Sequence, residues 1–385
     1  MACLVIKNDG IGDLVLSSGL IADLAKRFDG VDLVTCEQNR ELAAHIPGVR
    51  RCLEVSRDWI QFHPWPARLG LRWVRSTPSD RAVFRWLAEH RYETAICLRR
   101  FIRQSSLVLM SKVRATHRHC AWMYPTNASE AMALDLSDGW QRYAPTGGSR
   151  SELAYYREFL SSSLGIESRS PPILTCAGSS VGAFVPGRIG LCLSGNSTNW
   201  PAANWRTLAD SLHRQGRQLV LFGGADAKPL AADIARACPG ADDLTDQLGF
   251  ANSVPHLQTL ELMIGNDTGF THFASLAARK LIIILGGGTF GRFFPWPESD
   301  RQFVVFHGLD CYDCGWQCKF PSRECMDLVS PSAVFDYARE VIAARAPQFL
   351  NLNPRSVTCK LGWRYLKTPA EVVELAGSAA TTTGG

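Results

Sequence analysis

The sequence lacks any apolar run long enough to span a membrane, and its N-terminus lacks the basic and then apolar stretches of a signal peptide. We therefore expect a cytoplasmic protein. The P-loop pattern G-x-x-x-x-G-K-[ST] is also missing, which counts against a P-loop ATPase. The 13 cysteines are odd in number and mostly scattered, which argues against a disulfide framework. The chain of 385 residues, 46% hydrophobic and 20% charged, has the composition of a globular protein with room for two domains.

Acidic residues are scarce between residues 68 and 118, where twelve Lys or Arg stand against Asp80, Glu89 and Glu93. A basic face of this kind attracts phosphates, anionic lipid or nucleic acid. No nucleic-acid-binding module is recognisable, so we expect no nucleic-acid partner. An ordinary solvated arginine-rich face is the alternative interpretation.

The N-terminal stretch VIKNDGIGDLVL, residues 5–16, predicts a buried strand, a glycine-containing loop and an amphipathic helix. Gly10 and Gly12 are expected to let the backbone turn sharply and to leave room for a ligand. Asp13 falls in the first helical turn, where the helix dipole favours a carboxylate. It is either a helix-capping residue or a catalytic carboxylate at the carboxyl end of a strand, where ligands of open α/β sheets bind.

Strand-like and helix-like segments alternate along both halves of the chain, which predicts two Rossmann-like, doubly wound parallel sheets. The predicted strands are 3–6, 31–35, 52–55, 94–98, 189–193, 218–222, 260–264 and 280–285. The predicted helices are 12–28, 37–45, 81–90, 105–112, 152–164, 205–212, 229–237, 270–278 and 331–344. We expect an N-terminal domain over 1–170, a linker over 171–186, a C-terminal domain over 187–346 and a tail over 347–385. The last residues of the tail are Ser, Ala, Thr and Gly only, and are expected to be disordered.

The segment Asn266-Asp267-Thr268-Gly269-Phe270-Thr271-His272 is the second candidate site. Asp267, Thr268 and Gly269 before an amphipathic run predict a helix N-terminus whose free N–H groups suit a diphosphate. An ordinary N-cap explains these residues too, but leaves His272 unexplained. Further glycine loops follow strands at Ser194-Gly195-Asn196-Ser197, Gly223-Gly224 and Gly286-Gly287-Gly288. Together they predict a nucleotide-diphosphate pocket in this half.

Four cysteines are clustered as C-x2-C-x3-C-x6-C, at Cys311, Cys314, Cys318 and Cys325. This spacing is compatible with a structural four-thiolate Zn or Fe site, which would leave no open coordination position for catalysis. A reduced, metal-free thiol cluster, or one disulfide formed on isolation, is the alternative.

Gly12-Asp13 after the first strand, Trp200-Pro201, and Asn266 to Gly269 with His272 together resemble glycosyltransferase family 9, the bacterial ADP-heptose heptosyltransferases of lipopolysaccharide core synthesis. The match covers roughly residues 1–340 in motif order. The resemblance implies a GT-B fold of two domains facing across a cleft, an inverting mechanism and Asp13 as the general base. It implies that Thr268 and Gly269 bind donor phosphate, and some relatives that glycosylate proteins have an iron site at similar cysteines.

This chain departs from the family at Thr198, where the family usually has a Lys that contacts the donor phosphates. Arg188 or Arg292 could replace that cation, and Arg292 is the preferred candidate. Besides Arg292, the residues expected to bind the donor are Gly12, Ser194, Asn196, Thr198, Gly223, Asp267, Thr268, Gly269 and His272. Arg99, Arg100 and Arg103 are expected to contact the acceptor.

We therefore expect an inverting transferase that moves a heptose from ADP-heptose to an anionic, lipid-linked saccharide. It would need no cofactor for catalysis and could touch the inner membrane surface peripherally. The alternatives are a protein O-glycosyltransferase, a transferase for another nucleotide sugar, or an inactive scaffold member of the family. The sequence does not determine the oligomeric state.

Overall fold

The computed structural model describes residues 2–56, 61–62, 74–121, 124–125, 138–143, 151–178, 182–194, 200–297 and 299–353. The chain divides into two compact units. The segment Glu152–Thr175 belongs to unit 1, and the chain continues in unit 2 from Cys176. This boundary falls within residues 171–186, where the sequence predicts a linker.

Unit 1 is an α/β unit built on a parallel sheet. Its strands are β1 (Cys3–Lys7), β2 (Val31–Cys36), β3 (Val49–Val55), β4 (Gln61–Phe62), β5 (Val74–Arg75), β6 (Arg91–Cys97), β7 (Phe101–Ile102), β8 (Arg114–Ala121), β9 (Tyr124–Pro125) and β10 (Gln141–Tyr143). Its helices are α1 (Ile11–Phe28), α2 (Arg40–Ala43), α3 (Pro78–Glu89), α4 (Gln104–Lys112) and α5 (Glu152–Leu164), with a 3-10 turn at Glu37–Asn39. The strands β4–β5 and β7–β9 form two small separate ladders.

The main sheet of unit 1 has the strand order β10-β8-β6-β1-β2-β3, and all of its neighbouring pairs are parallel. The chain runs outward from β1 in one direction and then returns to place β6 on its other side. The carboxyl ends of β1 and β6 therefore flank a topological switch point, where ligands of open α/β sheets bind.

Unit 2 has the same architecture. Its strands are β11 (Arg188–Cys192), β12 (Gln218–Phe222), β13 (Asp242–Asp243), β14 (Leu262–Asn266), β15 (Leu281–Ile284), β16 (Gln302–Phe306) and β17 (Phe349–Asn351). Its helices are α6 (Thr175–Gly178), α7 (Ala202–Arg214), α8 (Lys228–Ala237), α9 (Phe250–Thr259), α10 (Gly269–Ala277), α11 (Glu324–Asp327) and α12 (Pro331–Ile342), with 3-10 turns at Ala225–Ala227 and Gly287–Thr289.

The sheet of unit 2 has the order β13-β12-β11-β14-β15-β16-β17, again with parallel pairs throughout. Its switch point lies between the carboxyl ends of β11 and β14. Ser194 directly follows β11, and Trp200 contacts Asn266 at the end of β14. The fold therefore brings these described residues of the two sequence motifs to one place.

Helix α1 shows why the N-terminal site is well anchored. The helix buries Leu14, Leu20, Leu24 and other apolar side chains against the sheet, which supplies the main stabilisation of an amphipathic helix. It ends at Asp29, which adopts the left-handed conformation at φ 56°, and Gly30 N–H then donates to the Ala25 carbonyl at 2.6 Å. Residue 13 is therefore carried on a rigid element.

The alternation of strands and helices is confirmed, and most predicted segments agree with the structure to within a few residues. The sequence analysis missed β8, β10, β16 and β17 and the helix α9. Strand β8 has the polar sequence RATHRHCA, and α9 contains Pro255, so neither shows the pattern expected of its type. The expected disorder at the end of the tail lies outside the described residues. No helix in the described ranges is both long and apolar enough to cross a membrane.

Candidate functional site

The first candidate site is the loop Asn8–Gly10 between β1 and α1, at the switch point of unit 1. Asn8 is buried and receives hydrogen bonds from Ser106 Oγ at 2.9 Å and Arg99 Nη1, while its own amide donates to Ser105 Oγ at 3.2 Å. The loop is thereby tied to the start of α4. The turn before Asp13 is fixed from two neighbouring elements.

Asp13 is half-buried in the first turn of α1, and its Oδ2 accepts the Gly10 N–H at 3.2 Å. The capping geometry is therefore present, and it also fixes the orientation of the carboxylate. Gly10 has φ −71°, which any residue can adopt, so the backbone conformation of this turn does not itself require a glycine. The absence of a side chain at Gly10 leaves room for the Asp13 carboxylate, since a Cβ at Gly10 would lie 3.0 Å from Asp13 Oδ2. Gly12 is the second residue of α1 and is partly exposed.

Beneath this loop lies a buried charged network that the sequence analysis missed. The fully buried Lys7 Nζ donates to Asp9 Oδ2 at 3.0 Å and to the Tyr156 hydroxyl at 3.1 Å. Tyr156 in turn donates to Glu152 Oε1 at 2.7 Å. Burial, and then the neighbouring carboxylates of Glu152 and Asp9, raise the pKa of Tyr156 well above its ordinary value, so this phenol stays protonated. The partners are about 150 residues apart, which is why no local pattern signals them.

Arg99 belongs to this network and not to an exposed basic face. It is 6% exposed, its Nη1 donates to the Asn8 carbonyl at 2.7 Å, and its Nε lies 3.8 Å from Asp9 Oδ2. Burial lowers the pKa of Arg99, but the carboxylates of Asp9 and Asp13 more than offset that effect and raise it. The expectation that Arg99 reaches the acceptor from a solvated face is thus corrected: its charge serves the β1–α1 loop.

Arg100 is similarly engaged, with Nη1 3.9 Å from Glu152 Oε2 and its guanidinium 4.6 Å from the Tyr155 ring centroid. Arg103 is exposed at the start of α4. Other basic residues of the same region are exposed as well, namely Arg81, Arg85, Arg91, Lys112 and Arg114. Arg103 is therefore one of several exposed basic residues of unit 1, whereas Arg99 is not.

The second candidate site lies at the switch point of unit 2. After β11, Ser194 Oγ donates to Asp226 Oδ2 at 3.1 Å, while Asn196 and Thr198 lie outside the described residues. The chain re-enters at Trp200, which is 2% exposed and donates through Nε1 to the Val329 carbonyl at 2.7 Å. Its N–H donates to Asn266 Oδ1 at 3.4 Å. Trp200 and Asn266 thus fix one end of the loop against β14.

Helix α10 begins directly after β14, with Thr268 as its N-cap. Thr268 Oγ1 accepts the Thr271 N–H at 3.4 Å, so the N-cap interpretation is confirmed. The first turn starts at Gly269, and its N–H groups point out of the helix end at the switch point. This terminus is a ready anion site, as the sequence predicts.

His272 is one turn into α10 and is 3% exposed. Its Nε2 lies 3.3 Å from Asp267 Oδ1, and Trp296 Nε1 donates to its Nδ1 at 3.2 Å. The ring stacks on Phe294 with centroids 4.0 Å apart. Asp267, 15% exposed, faces the Thr289 hydroxyl with its other oxygen at 3.5 Å. Sequence reasoning found His272 and Asp267 but missed Trp296.

The two candidate replacements for the family lysine are placed very differently. Arg188 is the first residue of β11, at the opposite edge of the sheet, where it bonds Asp242 Oδ2 at 2.5 Å and Thr259 Oγ1 at 2.8 Å. Arg292 is partly exposed and lies over the Phe293 ring at 4.5 Å, and that ring meets His272 edge-on at 6.2 Å. Arg292 therefore lies near His272 through the Phe293 ring and stays the candidate, whereas Arg188 is paired at the amino end of β11 and is excluded.

The glycines of the remaining loops serve packing. A Cβ at Gly287 would lie 2.3 Å from Tyr312, and one at Gly288 would lie 2.3 Å from Trp316. The run Gly286–Gly291 matches G-x-G-x-x-G, and these aromatic rings pack against Gly287 and Gly288 where larger residues would place a Cβ. Gly223 is likewise tight, because its Cβ would lie 2.7 Å from the Leu193 carbonyl oxygen. The expectation that the Gly286–288 loop lines a diphosphate pocket stays a prediction.

The clustered cysteines lie in the segment that covers this glycine loop. Burial raises the pKa of Cys325, an effect partly offset by the Gly287 N–H, which donates to its sulfur at 3.4 Å. Burial, and then Cys314, raise the pKa of Cys311, while Cys318 is exposed. Within the described ranges, no group of three or more His, Cys, Asp or Glu side chains is placed to hold a metal ion. The four-thiolate Zn or Fe site therefore stays a prediction, to be tested by metal analysis of the purified protein.

Comparison with known proteins adds to this geometry. Residues 188–320 match the family described as glycosyltransferase family 9 (heptosyltransferase). The chain is 24% identical over 324 residues to lipooligosaccharide heptosyltransferase 2 of Haemophilus influenzae, covering 79% of this chain and 88% of that protein.

Two solved structures share the fold. The glycosyl transferase family 9 structure from Veillonella parvula has a TM-score of 0.69 at 15% identity, covering 89% of this chain and 97% of the other. The E. coli heptosyltransferase WaaC with ADP-2-deoxy-2-fluoro heptose has a TM-score of 0.62 at 19% identity, covering 89% and 100%. The family match over residues 188–320, the sequence relative and the GT-B fold shared with these structures together indicate that this chain is a glycosyltransferase.

Proposed function

We propose that the protein transfers a heptosyl group from ADP-heptose to a lipid-linked saccharide of the lipopolysaccharide core type, with inversion at the anomeric carbon. The observation that carries this proposal is the start of α10, where a capped helix N-terminus stands at the switch point of unit 2 with the Asp267 carboxylate beside it. The named activity of the Haemophilus relative supports the choice of sugar.

On the donor side, the N-terminus of α10 would bind the diphosphate through its free N–H groups at Thr268–Gly269. Arg292 would supply the positive charge that the family usually takes from a lysine at position 198. Preorganised positive and dipolar groups of this kind stabilise the charge that develops on the departing nucleotide. The Asp267 carboxylate can only accept hydrogen bonds and repels phosphate, so it would bind a hydroxyl group of the donor.

On the acceptor side, Asp13 would act as the general base. The acceptor oxygen forms a bond to the anomeric carbon, the bond from that carbon to the diphosphate oxygen breaks, and ADP leaves with its electron pair. Asp13 takes the proton of the acceptor hydroxyl as the attack proceeds. The Gly10 N–H and the rigid start of α1 keep the carboxylate aligned, which matters more than basicity for an ordinary Asp. The step as written requires no cofactor.

The acceptor itself would be anionic. Arg103 and Arg81, which are exposed near the starts of α4 and α3, would attract its phosphate groups. Exposed cations of this kind would also favour peripheral contact with an anionic membrane at the cytoplasmic side.

Thermal stabilisation by nucleotides tests the donor half of the proposal. ADP at about one hundred times its dissociation constant should add about 2.7 kcal/mol to stability, whereas UDP and GDP should add much less. The Asp13→Asn variant should respond to ADP like the wild type, because Asp13 does not hold the donor. A selective response to UDP or GDP would reassign the donor. No response to any of the three would favour the scaffold interpretation.

A further inference from the structure

The ring of His272 is held by two partners that together determine where its proton is. The indole N–H of Trp296 can only donate, so the Nδ1 atom that it contacts at 3.2 Å must be an unprotonated acceptor. The single ring proton is then on Nε2, which lies 3.3 Å from Asp267 Oδ1 and donates to it. Geometry alone therefore assigns the neutral Nε2–H tautomer.

The surroundings of the ring oppose any other arrangement. His272 is 3% exposed and stacks on Phe294 with centroids 4.0 Å apart, and Phe293 meets its edge at 6.2 Å. A second proton on Nδ1 would place two N–H groups against each other and bury a charge in an aromatic environment. His272 therefore contributes no positive charge beside Asp267.

We propose that Trp296 and His272 are positioning residues: the Trp296 N–H fixes the His272 tautomer, and His272 holds the Asp267 carboxylate toward a hydroxyl of the donor. The proposal rests on the function proposed above and deepens it. Thr289 supports the other carboxylate oxygen at 3.5 Å, so Asp267 is oriented by two hydroxyl or N–H donors while remaining partly exposed. Because a carboxylate accepts hydroxyls and repels phosphates, this arrangement separates recognition of the glycosyl group from binding of the diphosphate.

The first test is spectroscopic and needs no activity. In protein with ¹⁵N-labelled histidine, long-range nitrogen–proton correlations should show His272 with a protonated Nε2 and an unprotonated Nδ1 at neutral pH, the signal being assigned from its absence in His272→Gln. In Trp296→Phe, the Nδ1 atom loses its donor, and the signal should shift to a mixture of tautomers or to the doubly protonated ring; a signal that stays wholly in the Nε2–H form would show that Asp267 and not Trp296 fixes the tautomer, and would overturn the role of Trp296. A wild-type ring with its proton on Nδ1, or a charged ring, would overturn the proposal.

The second test separates the glycosyl group from the nucleotide. In His272→Leu, affinity for ADP-heptose should fall by at least about tenfold relative to wild type, because Asp267 loses a charge-assisted hydrogen bond, while affinity for ADP changes little. In His272→Gln, whose side-chain amide can still donate to Asp267, most of the ADP-heptose affinity should return. Equal losses in the two variants, or an equal loss of ADP and ADP-heptose, would refute the positioning role.

The two tests also keep this inference separate from the proposed function. If wild-type protein binds neither ADP nor ADP-heptose, the proposed function fails and the positioning role fails with it, whatever tautomer the spectrum shows. If wild type binds both and the Leu and Gln variants behave alike, the proposed function stands and only the positioning role is lost. If His272→Leu does not fold, the Trp296→Phe spectrum and the His272→Gln affinities still decide.

Discussion

Lys7→Met should destabilise unit 1 strongly, because Lys7 is a fully buried cation with two hydrogen-bond partners. Its Nζ lies 3.0 Å from Asp9 Oδ2 and 3.1 Å from the Tyr156 hydroxyl, and the Asp9 side chain is only 12% exposed. Removing one member of a buried ion pair costs about 3–5 kcal/mol, because the other charge stays buried without compensation. Arg99 cannot fully replace Lys7, since its Nε is 3.8 Å from the same oxygen.

Lys26→Met is the matched control on the same unit. Lys26 is 75% exposed and pairs with Asp23 at 3.4 Å, so its loss should cost under about 1 kcal/mol. The assay is native-state hydrogen exchange of amides in β1 and α1, which measures the opening of unit 1 even where the two units unfold separately. Adding Asp9→Asn to Lys7→Met should recover part of the loss. Equal effects of Lys7→Met and Lys26→Met would refute the argument that the buried network stabilises the loop.

Three further predictions follow from the described contacts. Arg292→Met should weaken ADP binding by about tenfold or more in calorimetric titration. Arg188→Met should instead lower stability, because it breaks the pair with Asp242, and should leave ADP affinity unchanged. The reverse pattern would contradict the placement of Arg292. Gly288→Ala should destabilise unit 2 by about 1–3 kcal/mol in urea denaturation, because the added Cβ would overlap Trp316. Gly224→Ala should be nearly neutral, because the nearest atom to its added Cβ is Asp226 Oδ1 at 3.2 Å. Two equal effects would be inconsistent with the packing described. Burial raises the pKa of Asp23, but hydrogen bonds from Ser170 and Ser168 more than offset this effect and hold the pKa below 3.8. The ionised Asp23 therefore stabilises the folded state above pH 3.8, and this stabilisation is lost as the pH falls through the lowered pKa of the folded protein. Asp23→Asn should therefore flatten the loss of stability below about pH 3.8 in acid titrations of unfolding, and an unchanged acid limb would argue against the shift.

The sequence predicted the elements that have a strong local pattern. The apolar period of α1 and the apolar runs of β1 and β14 place Asp13 and Asp267 at strand ends without any structure. Thr268 as an N-cap could likewise be predicted, because capping depends on residues only three apart. Strand β8 could not, since its alternation mixes Arg, Thr and His on exposed positions.

What the sequence could not predict depends on contacts between distant residues. The pairing of Lys7 with Tyr156, and the burial of Arg99 under the β1–α1 loop, arise only when β1, β6 and α5 are brought together. Trp296 and His272 are 24 residues apart and meet only because a turn after β15 folds back over α10. The packing of Tyr312 and Trp316 against the glycine run at 286–288 could not be predicted for the same reason, because those rings come from more than 20 residues further along the chain.

Asp13 is proposed as the base in transfer from an ADP-sugar, and single-turnover kinetics test that role. Transfer from ADP-heptose to a panel of core-truncated lipopolysaccharides would be measured with wild type and Asp13→Asn at equal donor saturation. We expect a product with inverted anomeric configuration and a rate that falls by about 10²–10⁴ in the variant while ADP affinity is retained. Transfer by Asp13→Asn at the wild-type rate, or a product that retains the donor configuration, would contradict it.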